Sequence, residues 1–218
     1  MLETIAALES GAPLHAYIAR PEGRARAGVL VLHTAFGLRD DFRRYCDDLA
    51  QEGFLACAPD LFPGQVTDSW QEAEARAAAN PSWTLVPKAV AAFHWLYNQN
   101  PSGQIGLVGF SLGGALALRT ANTGIGQAVV TYYGSPCPDP LPNLQRPVLG
   151  HFAADDPFEP VNQVAAWFRG LPEAEMRVYP GVRHCFAEPS MDSYDATAAA
   201  MARAGTLAFL KEHLLGLR

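Results

Sequence analysis

The feature that most constrains this chain is the pentapeptide Gly109-Phe110-Ser111-Leu112-Gly113, set between the apolar run Ile105-Gly106-Leu107-Val108 and the apolar, helix-compatible stretch 114–118. Strand, sharp turn and helix in that order place a hydroxyl on a strained corner, where small flanking residues let the chain double back. The serine then projects beyond the carboxyl end of its strand. The helix that follows aims its N-terminal amides at the same point. In a chain with 19 glycines a G-x-S-x-G can arise by chance, so the strand-turn-helix setting is what gives it meaning.

The remainder of the chain alternates apolar strand-like runs with helix-like segments, the pattern of an α/β sheet. Strands are expected at 14–19 (the first), 28–32, 54–58, 105–108, 128–133, 148–152 and 176–179. Several are almost wholly apolar, as strands covered on both faces must be. Helices are expected at 40–51, 87–99, 113–120, 161–168 and 194–214. Within 40–51, Phe42, Tyr45, Cys46, Leu49 and Ala50 recur at helical spacing and Gly53 supplies a stop. The expected architecture is one α/β domain over residues 1–218, a mostly parallel sheet with helices on both faces. With 49% apolar and 17% charged residues, such a chain can bury a large core. The segment 62–87, with Pro63, Gly64, Trp70, Pro81 and Trp83 around a short Ala/Glu-rich helix, is a candidate cap or pocket wall.

Charge and composition exclude several function classes. The net charge is −6 and the 16 Lys and Arg are scattered, so no basic face is offered to nucleic acid or an anionic membrane. The N-terminus lacks a basic segment followed by an apolar core, and no run approaches the ~20 apolar residues of a membrane span, so a cytoplasmic setting is expected. Cys46, Cys57, Cys137 and Cys185 are dispersed without metal-ligand spacing and read as free thiols. No metal and no cofactor is called for.

A serine hydroxyl is a poor nucleophile at neutral pH, so the corner is chemically useful only with a histidine to take its proton and a carboxylate to orient that histidine. Of the six histidines, His184 is best placed, on a loop after the strand at 176–179 and the turn-forming Pro180-Gly181. His33 and His151 belong to apolar strand ends, His94 to a helix, and His15 and His213 to the chain ends. For the acid, Asp155 and Asp156 directly follow the strand at 148–152. Asp156 is taken as the orienting acid and Asp155 as a turn residue. Asp60 follows an earlier strand end, ahead of the serine in the chain, and is read as shaping a loop.

Five segments in this order resemble the dienelactone hydrolases of the α/β-hydrolase superfamily. They are Val31 to Leu38, similar to the family's oxyanion loop; Ala58-Pro59-Asp60-Leu61-Phe62; the serine corner Val108 to Gly114; the acid loop His151 to Pro160; and the histidine loop Tyr179 to Phe186. The resemblance implies an α/β-hydrolase fold, Asp156 and His184 as triad members, and an oxyanion hole from the backbone amides of Ala35 and Leu112. Three departures stand out. The family's usual nucleophile is cysteine, whereas Ser111 stands here; its glutamate before the oxyanion residue is replaced by Thr34; and its carboxylate-gripping arginine after the histidine is replaced by Glu188. Arg183 and Arg76 match no family position, and both read as surface arginines.

The expected activity is therefore hydrolysis of carboxylic ester or lactone bonds in a small-molecule substrate through an acyl-enzyme. Phe36, Phe158, Phe186 and either Trp70 or Trp83 are candidate pocket aromatics. Glu188, read as facing the pocket, favours uncharged substrates. Thioester or peptide-bond hydrolysis on the same triad, and a silent binding module on the same fold, are the competing readings.

Overall fold

The computed structural model describes residues 2–8, 11–100 and 102–217. Its eight strands are β1 (Leu2–Ala7), β2 (Pro13–Ala19), β3 (Ala27–Leu32), β4 (Phe54–Pro59), β5 (Ile105–Phe110), β6 (Ala128–Tyr132), β7 (Val148–Ala153) and β8 (Ala174–Tyr179). They form one sheet in the order β1-β2-β4-β3-β5-β6-β7-β8. Only the β1–β2 and β2–β4 pairings are antiparallel; β4 through β8 run parallel. The fold is that of the α/β-hydrolases, as the family resemblance implies. The five strands β3 to β7 are buried along their whole length, which is why they read as largely apolar runs.

Helices cover both faces. On one side α1 (Asp40–Gln51) and α6 (Ala196–Leu215) bury Phe42, Cys46, Leu49, Ala202 and Leu210 against the sheet. On the other lie α3 (Ser82–Gln99), α4 (Leu112–Ala121) and α5 (Val161–Phe168), with Leu85, Ala89, Leu96, Ala117, Val164 and Phe168 inward. Between β4 and α3, α2 (Trp70–Ala79) buries only Ala73 and is capped by Ser69, whose hydroxyl accepts from the Glu72 amide at 3.4 Å. Among the described helices, none is long and apolar enough to cross a membrane.

Two expectations need correction. The first strand is not residues 14–19: β1 precedes it as an edge strand, and only Ile5 of its six residues is fully buried, so it carries no apolar pattern to read. The helix expected at 87–99 begins at Ser82, with Pro87 inside it. Pro87 is the sixth residue of this helix, past the four amides that have no intrahelical acceptor, so it removes one i→i−4 bond and reads in the sequence as a helix start rather than an interior residue.

Candidate functional site

The corner after β5 is built by its glycines. Ser111 has φ 51° and ψ −117°, a backbone state costly for any residue with a Cβ. Its N–H donates to the Tyr132 carbonyl at 2.9 Å, and its own carbonyl accepts from Gly114 N at 2.8 Å, so β6 and α4 hold the strained turn. A Cβ at Gly109 would collide with the Gly113 carbonyl, and one at Gly113 with the carbonyls of Leu32 and His33. Both glycines of the motif are therefore required by close approach of backbone.

From this corner a continuous chain of hydrogen bonds runs inward. His184 Nε2 lies 2.9 Å from Ser111 Oγ, and His184 Nδ1 lies 2.7 Å from Asp156 Oδ2. Asp156 is buried, and its other oxygen accepts from the Phe158 and Glu159 amides at 2.9 and 3.2 Å. Two backbone donors thus fix which oxygen faces the imidazole. Asp155 is exposed and stands outside this arrangement. The loop after β8 is pinned by Ser193, whose hydroxyl donates to the His184 carbonyl at 2.5 Å.

Ala35 and Leu112 line the same cavity as Ser111 and His184. Leu112 opens α4, so its amide has no intrahelical acceptor. The Ala35 loop is tied down from several directions. Arg76 donates to the Ala35 carbonyl at 3.0 Å and its guanidinium lies 5.4 Å from the Phe62 ring centroid, so this arginine is half-buried rather than a surface group. His33 accepts from Leu61 N on Nε2 at 3.1 Å, which leaves Nδ1–H to donate to the Thr34 carbonyl at 2.7 Å. Burial holds this imidazole neutral, its pKa lowered to about 4. Asp60 accepts from Phe62 N and Gly64 N at 3.2 and 2.6 Å and shapes the adjoining loop.

Two hollows meet at His184. One, of about 240 Å³, is bounded by Ala35, Phe36, Ala73, Ala77, Leu112 and Ala115 beside Ser111, with Glu74, Ser135 and Glu159 at its edge. The other, of about 410 Å³, carries Arg39, Asp68, Arg183, Ser190 and Asp192. Trp70 and Phe158 border both: their rings stack at 5.2 Å and 5°, and Trp70 meets Phe36 edge-on at 4.9 Å. Arg39 ties three loops together, donating to Ser190 Oγ at 2.6 Å, pairing with Asp68 at 3.2 Å and lying 5.7 Å from the Phe36 centroid. Nothing in the primary structure singled out Arg39, or the Glu159 carboxylate that accepts from Ser135 N and Oγ at 2.8 and 2.6 Å.

Other expected pocket residues lie elsewhere. Phe186 is fully buried against Tyr133 and Tyr179, and Trp83 is 75% exposed on α3; neither lines the cavity at Ser111. Glu188 is also displaced from its expected place. It is 1% exposed, lies behind His184 rather than in either hollow, and takes a hydrogen bond from Tyr133 Oη at 3.0 Å. Burial pushes its carboxyl up to about 7. Cys185 is buried too, and burial raises its thiol well above the usual range, so it holds its proton at neutral pH. Among the described residues no cluster of His, Cys, Asp or Glu has a metal-binding arrangement.

The dienelactone hydrolase family pattern matches residues 14–214. The chain belongs to the dienelactone hydrolase family. A curated relative in this family, the carboxymethylenebutenolidase of Pseudomonas putida, is 32% identical over 205 residues, spanning 86% of each chain. Among solved structures, a dienelactone hydrolase-like promiscuous phosphotriesterase from metagenomic libraries superposes with a TM-score of 0.85 at 25% identity, over 98% of each chain. The dienelactone hydrolase of Anabaena variabilis gives 0.75 over 98% of this chain and 97% of that one, at 23% identity, a likeness of fold.

Proposed function

We propose that this member of the family is a serine hydrolase of carboxylic ester or lactone bonds working through an acyl-enzyme. The observation that carries the reading is the unbroken relay from Asp156 through His184 to Ser111, with both hydrogen bonds at or below 2.9 Å. In this mechanism Ser111 Oγ attacks the acyl carbon while His184 Nε2 takes its proton, and Asp156 holds the tautomer that leaves Nε2 free to accept. The tetrahedral oxyanion sits between the N–H groups of Ala35 and Leu112. Collapse expels the leaving oxygen, protonated by His184; water, deprotonated by the same imidazole, then frees the acid and restores Ser111.

The hollow beside Ser111 supports a substrate preference. Its walls are mainly apolar, it includes no Lys or Arg, and its charged members are Glu74 and Glu159. An anionic acyl group finds no counter-charge there, so short neutral acyl groups fit best. Glu188 plays no part in this argument because it does not face the hollow. The name of the Pseudomonas relative makes a carboxylate-bearing lactone the competing substrate. Its carboxylate would have to reach the second hollow, where Arg39 and Arg183 lie.

A fluorophosphonate probe, followed by peptide mapping, tests the nucleophile: the expected adduct is on Ser111, and a folded protein that takes no adduct would mark a silent binding module. Comparing kcat/KM for p-nitrophenyl butyrate, its thioester and anilide analogues and a carboxylate-bearing dienelactone tests the rest. The neutral ester should lead. A dienelactone that leads, and that loses its advantage in Arg183→Ala, would move the substrate reading to the arginine-lined hollow.

A further inference from the structure

His184 is enclosed by rings on several sides: Tyr133 at 5.1 Å between centroids, Phe158 at 5.0 Å and Trp70 at 6.1 Å. Phe158 and Trp70 face the hollows, whereas Tyr133 is fully buried and lies on the protein side. Tyr133 sits at the end of β6, immediately after the residue whose carbonyl receives the Ser111 amide, and has φ 38°. A bulky residue keeps that backbone state only where its surroundings over-determine it. The Glu188 carboxyl is one such determinant, since Oε1 accepts the Tyr133 hydroxyl while Oε2, also buried, has no hydrogen-bond partner among the described residues.

A buried carboxyl with one unsatisfied oxygen is expensive to keep unless it does something. We propose that Glu188 is a positioning residue for His184: through its hydrogen bond it holds the Tyr133 ring against the imidazole, and as a carboxylate it supplies a second buried negative charge that stabilises the imidazolium formed when His184 takes the Ser111 proton. This inference rests on the triad reading above.

The groups facing Glu188 set its charge state. The Cys185 thiol from its own loop and the Tyr133 hydroxyl from the end of β6 favour its charged form, as does a protonated His184. Asp41 of α1 opposes it, as does burial, which is the largest influence. Asp41 is itself engaged by Arg44 at 2.8 Å and by the Ser190 hydroxyl. Near neutral pH both charge states of Glu188 are populated, and its proton and that of His184 disfavour each other. As pH falls Glu188 becomes neutral and its support for the imidazolium disappears.

The decisive variant is Glu188→Gln, which keeps shape and an acceptor for Tyr133 but removes the charge. With p-nitrophenyl butyrate, kcat should fall about tenfold, the order of effect that one partly screened charge exerts inside a protein. KM should stay within about twofold, because Glu188 touches neither hollow. The acid limb of the kcat profile should move lower by a fraction of a pH unit, because the parent's Glu188 is itself partly protonated there, and the kcat deficit of the variant should be largest above pH 7, where the parent carries the charge. A merely structural role would not move that limb. Should Glu188→Gln fail to fold, NMR titration of His184 in the unmodified protein takes its place: two inflections, the second tracking a ¹³C-labelled Glu188 carboxyl, are expected. A single His184 inflection, or an acid limb and kcat unchanged in Glu188→Gln, would overturn the inference. Fluorophosphonate labelling keeps the two questions apart: an unlabelled Ser111 in the unmodified enzyme sinks the triad reading, while normal labelling with no Glu188 effect sinks only the role given to Glu188.

Discussion

Replacing Asp156 by Asn probes the relay at the point where the geometry is most constrained. Asp156 Oδ1 accepts two backbone N–H groups and Oδ2 faces His184 Nδ1. An Asn side chain that keeps its oxygen toward the Phe158 and Glu159 amides must present its NH₂ to the imidazole. Nδ1 then becomes an acceptor, the ring proton moves to Nε2, and Nε2 can no longer take the Ser111 proton. Flipping the amide to restore the tautomer aims the NH₂ at two backbone donors, losing two hydrogen bonds at about 1 kcal/mol each plus the penalty of leaving those donors unsatisfied. The wrong tautomer therefore predominates. Loss of kcat should be on the order of 10⁴, about 5 kcal/mol in transition-state stabilisation and the size known for the same substitution in a Ser-His-Asp protease. Because Asn preserves the backbone bonds, the melting temperature should change little. Asp155→Asn, at an exposed position, should stay within about threefold of the parent. The assay is steady-state hydrolysis of p-nitrophenyl butyrate, with circular dichroism to verify folding. If Asp156→Asn kept a tenth of the activity, or Asp155→Asn lost as much, the assignment of the acid would be refuted.

Ser111→Ala should remove turnover by several orders of magnitude with the fold intact, while Cys185→Ser should keep most of it, because the buried Cys185 thiol stays protonated; equal losses in a side-by-side assay would contradict the serine mechanism. Stability should depend on pH through His151, which is buried between Tyr179 and Thr206 and whose pKa burial lowers to about 3. The unfolded chain binds a proton near pH 6.5 that the folded chain refuses, so this contribution is complete above pH 6.5 and is lost as pH falls toward 3. Between pH 6.5 and 4.5 the loss from His151 is about 2 kcal/mol, measurable by urea denaturation, and a His151→Gln variant whose stability still fell as steeply would remove His151 as the cause.

The parts of the site that were legible in the amino-acid sequence are those whose chemistry is local. Ser111 is announced by glycines that its own turn requires, Asp156 by its place just after a strand, and His184 by the turn that precedes it. What stayed hidden depends on packing between distant segments. Glu188, four positions after His184, reads in the sequence as a pocket residue, but the turn made by Glu188 N donating to the Cys185 carbonyl sends it inward beneath Tyr133, 55 residues earlier in the chain. Phe186 offers the same aromatic side chain as Phe158, yet one is fully buried and the other 49% exposed. Arg76 reads as a surface charge, and Arg39 draws no notice, because their partners, a carbonyl on the Ala35 loop and a hydroxyl on the loop after His184, are remote in sequence. In the fold, the apolar parallel strands declared themselves, whereas edge strand β1 has one buried side chain and left no pattern.

The stack of Trp70 on Phe158 has an optical consequence. Its indole lies 6.1 Å from the His184 ring and is 40% exposed, at the seam between the two hollows. Indole emission responds to the charge of a nearby imidazole and to the water that a bound acyl group displaces. The site thus carries its own reporter, one of four tryptophans and separable from the others by a single Trp70→Phe subtraction. On the proposed acyl-enzyme mechanism, a stopped-flow trace of that emission would time acylation and deacylation with colourless substrates, so candidate esters and lactones can be ranked without a chromogenic leaving group.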